Sequence, residues 1–263
     1  MGSIRSYLSK MLGHHLTAVI LAAGSGERMG AEKPKQFLTV DGKSVLLRSI
    51  EAFEQSGYVE DIIIVTSADY VDTVKDLVTT HALCKVVSVI EGGATRFESA
   101  FSALQIVSEK TTHIAIHDAA RCLVTPDMIN DVAAAAFKTG AAFASSKPTD
   151  TIKLMTKDGI TETKDKQLNR NKLIAASTPQ IFDINKYRAG AYTAKREKYS
   201  PTDDCSLLEY VGFACHPVDV GNENIKITHP QDIATAEFIL NQRKQIEAEK
   251  QAKKDAKSKK VNK

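Results

Sequence analysis

Between Thr17 and Ser145 the chain alternates short apolar runs, rich in β-branched residues, with longer segments whose apolar positions recur at helical spacing. Thr17–Leu21, Asp61–Thr66, Lys85–Ile90, His113–His117 and Ala141–Ser145 read as strands. Ser44–Ser56, with Val45, Leu46, Ile50 and Phe53 inward, reads as a helix, as do Tyr70–Thr80, Thr95–Val107 and Pro126–Lys138. The last of these begins with Thr125 as N-cap and proline at its first position. Parallel strands need crossover connections, and right-handed crossovers place helices on both faces of a sheet. The pattern therefore predicts an α/β fold: a mostly parallel, twisted sheet between two helical layers, with ligands at the carboxyl ends of its strands.

The rhythm breaks over residues 147–182, where Asp150–Met155 and Leu173–Ala176 look like strands flanking the polar stretch KDGITETKDKQLNRN, an antiparallel excursion. A strand at Gly212–Val220 and a helix from Pro230 to about Arg243 return to the main sheet. With 263 residues and 43% hydrophobic content the chain can bury a substantial core. The expected organisation is an extension over residues 1–16, one domain over 17–240 with the excursion at about 147–182 as an arm, and a basic tail, helical or disordered, over 241–263.

The net charge is +3, but nine Lys/Arg against Glu247, Glu249 and Asp255 put +6 on Arg243–Lys263 and leave the rest near −3. Such a tail reads as a solvated helix end, and no nucleic-acid partner is expected. No apolar run approaches the roughly 18 residues of a membrane span, so no membrane partner is expected either. The opening MGSIRS fits a myristoylation pattern through Gly2 and Ser6, and Arg5 and Lys10 before Ala18–Ala23 faintly resemble a signal peptide, but that run leads into glycines rather than a cleavage site. Cys84, Cys122, Cys205 and Cys215 are scattered, with neither paired spacing nor a neighbouring histidine, which disfavours a disulfide framework or zinc site and fits a reducing cytoplasm.

The loop leaving the first strand, LAAGSGERMG, is not a dinucleotide fingerprint, because Met29 stands where the third glycine is needed and Gly30 comes one residue late. Nor is it a phosphate loop of the Gly-Lys-Ser/Thr kind. What remains is a glycine-rich turn whose backbone N–H groups can surround phosphates, with Arg28 and Lys35 adding positive charge.

LAAGSGERMGAEKPKQF resembles the signature of the sugar-nucleotide type nucleotidyltransferases. GGATRFESA, HDAAR, DTIK, STPQIF, TDDCSLLEYVG and NIKIT follow in order, and together they resemble the 2-C-methyl-D-erythritol 4-phosphate cytidylyltransferase family over about Thr17 to Leu240. The resemblance implies a three-layer, Rossmann-like fold and a reaction joining CTP to a sugar-alcohol phosphate with release of pyrophosphate. The nucleophile, a phosphate oxygen, is already anionic, so no base or triad is required. The catalyst must bring two polyanions together and stabilise charge on the α-phosphate and leaving group, which calls for placed cations and a metal.

By resemblance, Arg28, Lys35 and Lys226 are the catalytic cations, and Mg²⁺ is bound mainly through the CTP phosphates, with no protein ligand assigned. Ala22, Ala23, Gly24, Gly26, Gly93 and Ser99 would approach the nucleotide closely, and Arg96 would add a phosphate or base contact. Asp118 would meet substrate hydroxyls or a metal-bound water, and Arg121 would hold local geometry or phosphate charge, whereas His117 reads as a core histidine. In the family the arm is exchanged between subunits, which implies a homodimer with Arg170 and Thr178 reaching the partner's site and Thr151 as a further substrate contact. Three positions depart from the family pattern: Ala94 replaces a frequent acid, Cys122 a proline, and Asn169 an aspartate.

Asn169 is shared with the ribitol-5-phosphate cytidylyltransferases, the main alternative; LAAG, HDAAR and TDDCSLLEYVG stand against it. A hexose-phosphate nucleotidyltransferase would usually need a longer chain. Arg28, Lys35, Asp118 and Lys226 together argue against a non-catalytic nucleotide-binding module.

Overall fold

The computed structural model describes residues 13–24, 34–155 and 168–261. Its elements, in chain order, are β1 (Leu16–Ala22), β2 (Thr39–Val40), β3 (Lys43–Ser44), α1 (Val45–Gln55), β4 (Val59–Thr66), α2 (Val71–Thr80), β5 (Val86–Glu91), α3 (Arg96–Leu104), β6 (His113–Asp118), α4 (Pro126–Thr139), β7 (Ala141–Ser146), β8 (Ala175–Asp183), α5 (Ile184–Glu197), α6 (Asp204–Tyr210), β9 (His216–Asp219) and α7 (Gln231–Val261). Seven strands form one sheet in the order β5-β4-β1-β6-β8-β7-β9, and β2 and β3 form a separate antiparallel pair. In the seven-stranded sheet β1 runs parallel to β4 and β6, β4 to β5 and β7 to β9, whereas β8 is antiparallel to both its neighbours, β6 and β7.

The central strands read as unbroken apolar runs because both faces are covered. Ala18, Ile20, Ile62, Ile64 and Ala115 point to one face, where α1, α2 and α4 contribute Leu46, Ile50, Phe53, Val74, Ile129 and Val132. Val19, Ile63, Val65, Ile114 and Ile116 point to the other, against Ala100 and Leu104 of α3, Tyr187 of α5 and Leu207 of α6. Each fully buried Ile or Leu here contributes about 1.5–3 kcal/mol. Polar residues fix where the helices start: the hydroxyls of Ser44, Thr95 and Thr125 accept N–H bonds at the starts of α1, α3 and α4.

Four expectations change. The second half of the excursion is a nine-residue strand, β8, inside the main sheet. Its proline obscures it, since Pro179 falls beyond the last β6 pair, Ile116 with Gln180, and at the register shift between Phe143 and Ser145 of β7, where no ladder N–H is needed. In place of a strand at Asp150–Met155 there is only a single bridge residue at Met155; most of the polar stretch after it lies outside the described residues. α5 and α6 are additions to the expected order, because α5 is polar and carries a mid-helix glycine, yet a Cβ at Gly190 would meet the Leu207 carbonyl oxygen at 2.7 Å, so glycine lets the two helices touch. The strand expected over Gly212–Val220 is confined to His216–Asp219, and the last helix continues to Val261. Among the described residues no helix is long and apolar enough to cross a membrane.

Candidate active site

The carboxyl ends of β1 and β6 open into a cavity of about 380 Å³ whose lining includes Ala22, Ala23, Gly24, Lys35, Gly93, Arg96, Ser99, Asp118 and Lys226. The sheet brings its parts together directly, with Leu21 paired to Asp118 and the Ala119 N–H donating to Leu21 O at 2.9 Å. The chain leaving β1 is held by the Gln36 side chain, which donates to Ala22 O at 2.6 Å, and Lys35 begins the same short 3₁₀ turn. On the opposite wall a Cβ at Gly92 would come within 2.7 Å of the Ala23 Cβ, and one at Gly93 within 2.4 Å of the Glu98 Cβ. Gly92 thus permits the close approach of the two loops, and Gly93 lets its own loop fold tightly onto the start of α3. Ser99 is buried and donates to Thr95 O at 3.0 Å.

Asp118 is the centre of the electrostatics. One oxygen accepts from Arg96 Nε at 3.0 Å and the other from Lys226 Nζ at 2.6 Å. Burial works against its charge, but Arg96 and Lys226 overcome this and hold the carboxyl well below the usual carboxylate range. Arg96 also donates from Nη1 to Asp204 Oδ2 at 2.5 Å. Burial opposes its charge as well, and Asp204 and Asp118 reverse the effect, so the guanidinium is held even more firmly cationic.

Lys226 reaches this wall because its segment is strapped to the β6 loop. Arg121 Nη1 donates to Asn224 O at 2.9 Å, the Asn224 side chain donates to Thr178 O at 2.8 Å, and the Ile227 N–H donates to Ala120 O at 2.8 Å. Arg121 thus holds geometry and lies outside the lining; burial, first, pulls its pKa below the ordinary value, with Asp118 opposing. His117 is fully buried in the core, its pKa lowered to about 3 chiefly by burial; only its Nδ1 is bonded, and among the described residues its Nε2 has no partner.

Thr178 is a correction. Instead of reaching a partner's site from an arm, it is buried in β8 of its own sheet, where its Oγ1 accepts from the Asp118 N–H at 3.1 Å and lies 3.1 Å from His117 Nδ1. Arg170 and Thr151 are exposed and outside the lining; Arg170 donates to the main-chain oxygens of Pro148 and Thr149. Arg28 and Gly26 lie outside the described residues. Sequence reasoning does not single out Gln36, Asn224 or Asp204, although all three stand in or beside quoted motifs: PKQ, NIKIT and TDDCS.

Three cations against one carboxylate, set where an α/β sheet presents its ligands, make a wall suited to a polyphosphate. Residues 16–242 match the family model for IspD, 2-C-methyl-D-erythritol 4-phosphate cytidylyltransferase. The chain belongs to this nucleotidyltransferase family. It is 38% identical over 226 residues to the cytidylyltransferase of that name from Synechococcus sp. (strain WH7803), covering 86% of this chain and 99% of the relative. A Clostridium perfringens (strain SM101) enzyme of the same name is 35% identical over 225 residues, covering 86% and 98%. Among solved structures, 4-diphosphocytidyl-2C-methyl-D-erythritol synthase from Anaerococcus prevotii superposes with a TM-score of 0.77 at 27% identity, covering 87% of this chain and 99% of that one. The cytidylyltransferase from Thermus thermophilus gives 0.68 at 26%, covering 86% and 98%. Family membership accounts for the late glycine of LAAGSGERMG, which belongs to this signature rather than to a dinucleotide loop.

Proposed function

We propose that this enzyme transfers CMP from CTP to 2-C-methyl-D-erythritol 4-phosphate, giving 4-diphosphocytidyl-2-C-methyl-D-erythritol and pyrophosphate. The observation that carries the reading is the cationic wall of Lys35, Arg96 and Lys226 beside the glycine-bearing end of β1. The phosphate oxygen of the sugar alcohol attacks the α-phosphate of CTP, and the bond to the pyrophosphate leaving group breaks. Lys35 and Lys226, with Arg28 from the glycine loop, stabilise the charge that builds on the α-phosphate and pyrophosphate. Ala22, Ala23, Gly24, Gly93 and Ser99 receive the nucleotide. Asp118 has both carboxylate oxygens on cations, which fits Mg²⁺ arriving on the CTP phosphates rather than on a protein carboxylate. When bound, Mg²⁺ neutralises triphosphate charge.

The enzyme works as a homodimer, with the segment around Thr151 and Arg170 turned toward a second copy. Supporting this, Ile152, Leu154, Met155 and Ile174 are all exposed there. A cytoplasmic location accords with four free cysteines, Cys122 and Cys205 buried among them. Asn169 favours ribitol 5-phosphate as the competing acceptor, so the two acceptors should be compared side by side with CTP and Mg²⁺, reading pyrophosphate. Turnover of methylerythritol phosphate, abolished in Arg28→Ala and Lys35→Ala, is expected; far faster turnover of ribitol 5-phosphate would replace the assignment.

A further inference from the structure

We propose that Asp204, which lies outside the pocket lining, is a positioning residue: it anchors Arg96 and, through Arg96 and Asp118, sets where the Lys226 ammonium stands. The inference rests on the cytidylyltransferase reading above. Four charges of alternating sign run from the core to the pocket. Asp204 accepts from Arg96 Nη1 at 2.5 Å, Arg96 Nε donates to Asp118 at 3.0 Å, and the other Asp118 oxygen accepts from Lys226 at 2.6 Å. Asp204 and Arg96 are 108 residues apart in sequence, as are Asp118 and Lys226.

The far end of this relay is fixed. Asp204 is buried, and its second oxygen accepts from the hydroxyl of Tyr187, a fully buried ring stacked on Phe182 at 5.4 Å. The main-chain N–H groups of Asp204 and Cys205 both donate to Gln180 Oε1, at 3.0 and 3.1 Å, while Gln180 Nε2 donates to Asp203 at 2.9 Å. β8 therefore sets the start of α6, and α6 sets the carboxylate. An apolar residue would fill a purely structural core position at less desolvation cost, so a charge here calls for a task. That task is to divide Arg96 between two carboxylates. Without Asp204, the guanidinium can turn two N–H groups onto Asp118 in a bidentate pair, displacing Lys226 from the oxygen it now holds.

Asp204→Asn keeps the shape and removes the charge. With CTP and methylerythritol phosphate, kcat is expected to fall about 30- to 100-fold while KM for CTP moves by less than about 3-fold. In a Lys226→Met background the same substitution should add less than about 3-fold, because its effect travels through Lys226. A general structural defect would lower both backgrounds by the same factor, and that result, or a folded Asp204→Asn enzyme within about 3-fold of wild type, would overturn the proposal. Should Asp204→Asn not fold, Arg96→Lys tests the same link, since an ammonium cannot bridge two carboxylates as the guanidinium does. It is expected to show the same kcat loss and the same non-additivity, and full activity would overturn the relay. If the wild type does not use methylerythritol phosphate at all, the proposed reaction fails and the relay is read separately from the ¹⁵N resonance of the Lys226 ammonium. A shift in either variant supports it; an unmoved resonance refutes it.

Discussion

The pocket wall around Asp118 and the segment around Arg170 carry charges of the same kinds and are held in opposite ways. At the wall, Asp118 meets Arg96 and Lys226, and Arg96 meets Asp204, all through side chains at 2.5–3.0 Å. Arg170 instead donates to the main-chain oxygens of Pro148 and Thr149, and the large apolar residues beside it face outward. The wall is preorganised by its own chain, so its cations need little rearrangement when a polyanion arrives. The Arg170 segment has large apolar residues turned to solvent, the surface that the proposed second copy would cover. A motif gives both sets of residues equal weight; burial separates them.

The sharpest way to break this contrast is Asp118→Ala. It leaves Arg96 and Lys226 without their shared partner in a half-buried wall, and kcat for pyrophosphate release should fall about 10²- to 10³-fold. A loss under about 10-fold would mean that the wall is not preorganised through Asp118. The network also has a defined acid limit. The Asp118 pKa is depressed from an ordinary value near 3.8, so its contribution to stability is complete above that pH and is lost only as pH falls toward the lower folded value.

Acid should find two buried histidines first: His113, whose pKa burial lowers to about 4, and His117. The folded pKa of His117 is lowered from 6.5 to about 3, so the neutral form stabilises the fold above pH 6.5 and that stabilisation is lost as pH falls between those values. At pH 5 the wild type should have lost about 2 kcal/mol from this group relative to pH 7. His117→Gln, followed by urea unfolding at the two pH values, should flatten this part of the profile. An unchanged acid slope would place the responsible proton elsewhere.

The arm side of the comparison is sharpened by Met155→Asp together with Ile152→Asp. Both residues are exposed, so monomer stability should move by less than about 0.5 kcal/mol. Sedimentation should show dissociation, and KM for the sugar phosphate should rise about 10-fold, equivalent to roughly 1.4 kcal/mol. Unchanged sedimentation and kinetics would remove the second copy from the site.

Legibility in the sequence follows the same physics. β1, β4 and β6 are readable because residues buried on both faces must be apolar without interruption, and Val19 between Ala18 and Ile20 is enough to show it. α5 is not, because its exposed face is polar and Gly190 exists to admit Leu207, a contact visible only once α6 is in place. β8 is easily misplaced because Pro179 normally argues against a central strand, and the register shift that tolerates it is a tertiary fact. At the site, Lys35, Arg96, Asp118 and Lys226 come from motifs and meet in one cavity. Thr178 comes from the same reasoning, yet its hydroxyl is spent on Asp118 and His117 of its own chain. Asp204 carries no signal of its role, because a partner 108 residues away leaves no local pattern.

The smallest effect is expected at the end of α7. The apolar period stops at Leu240, but Ala, Glu, Gln and Lys are good helix formers, which explains why the helix outlasts its hydrophobic face. Among the described residues its last anchors to the domain are Arg243, bonded to Glu223 at 2.8 Å and to Leu123 O at 2.8 Å, and Lys244, 2.7 Å from Asp41. Removing residues 248–263 should therefore change stability by less than about 0.5 kcal/mol and leave kcat unaltered. Removing residues 243–263 also deletes the bond into the β6 loop, next to the strap that carries Lys226, and should cost about 1 kcal/mol or more. Urea unfolding and turnover of the two truncated enzymes separate a solvated helix end from a brace of the active-site loop. Equal behaviour would show that the brace contributes nothing, whereas loss of turnover in the shorter deletion would add the basic helix to the catalytic unit.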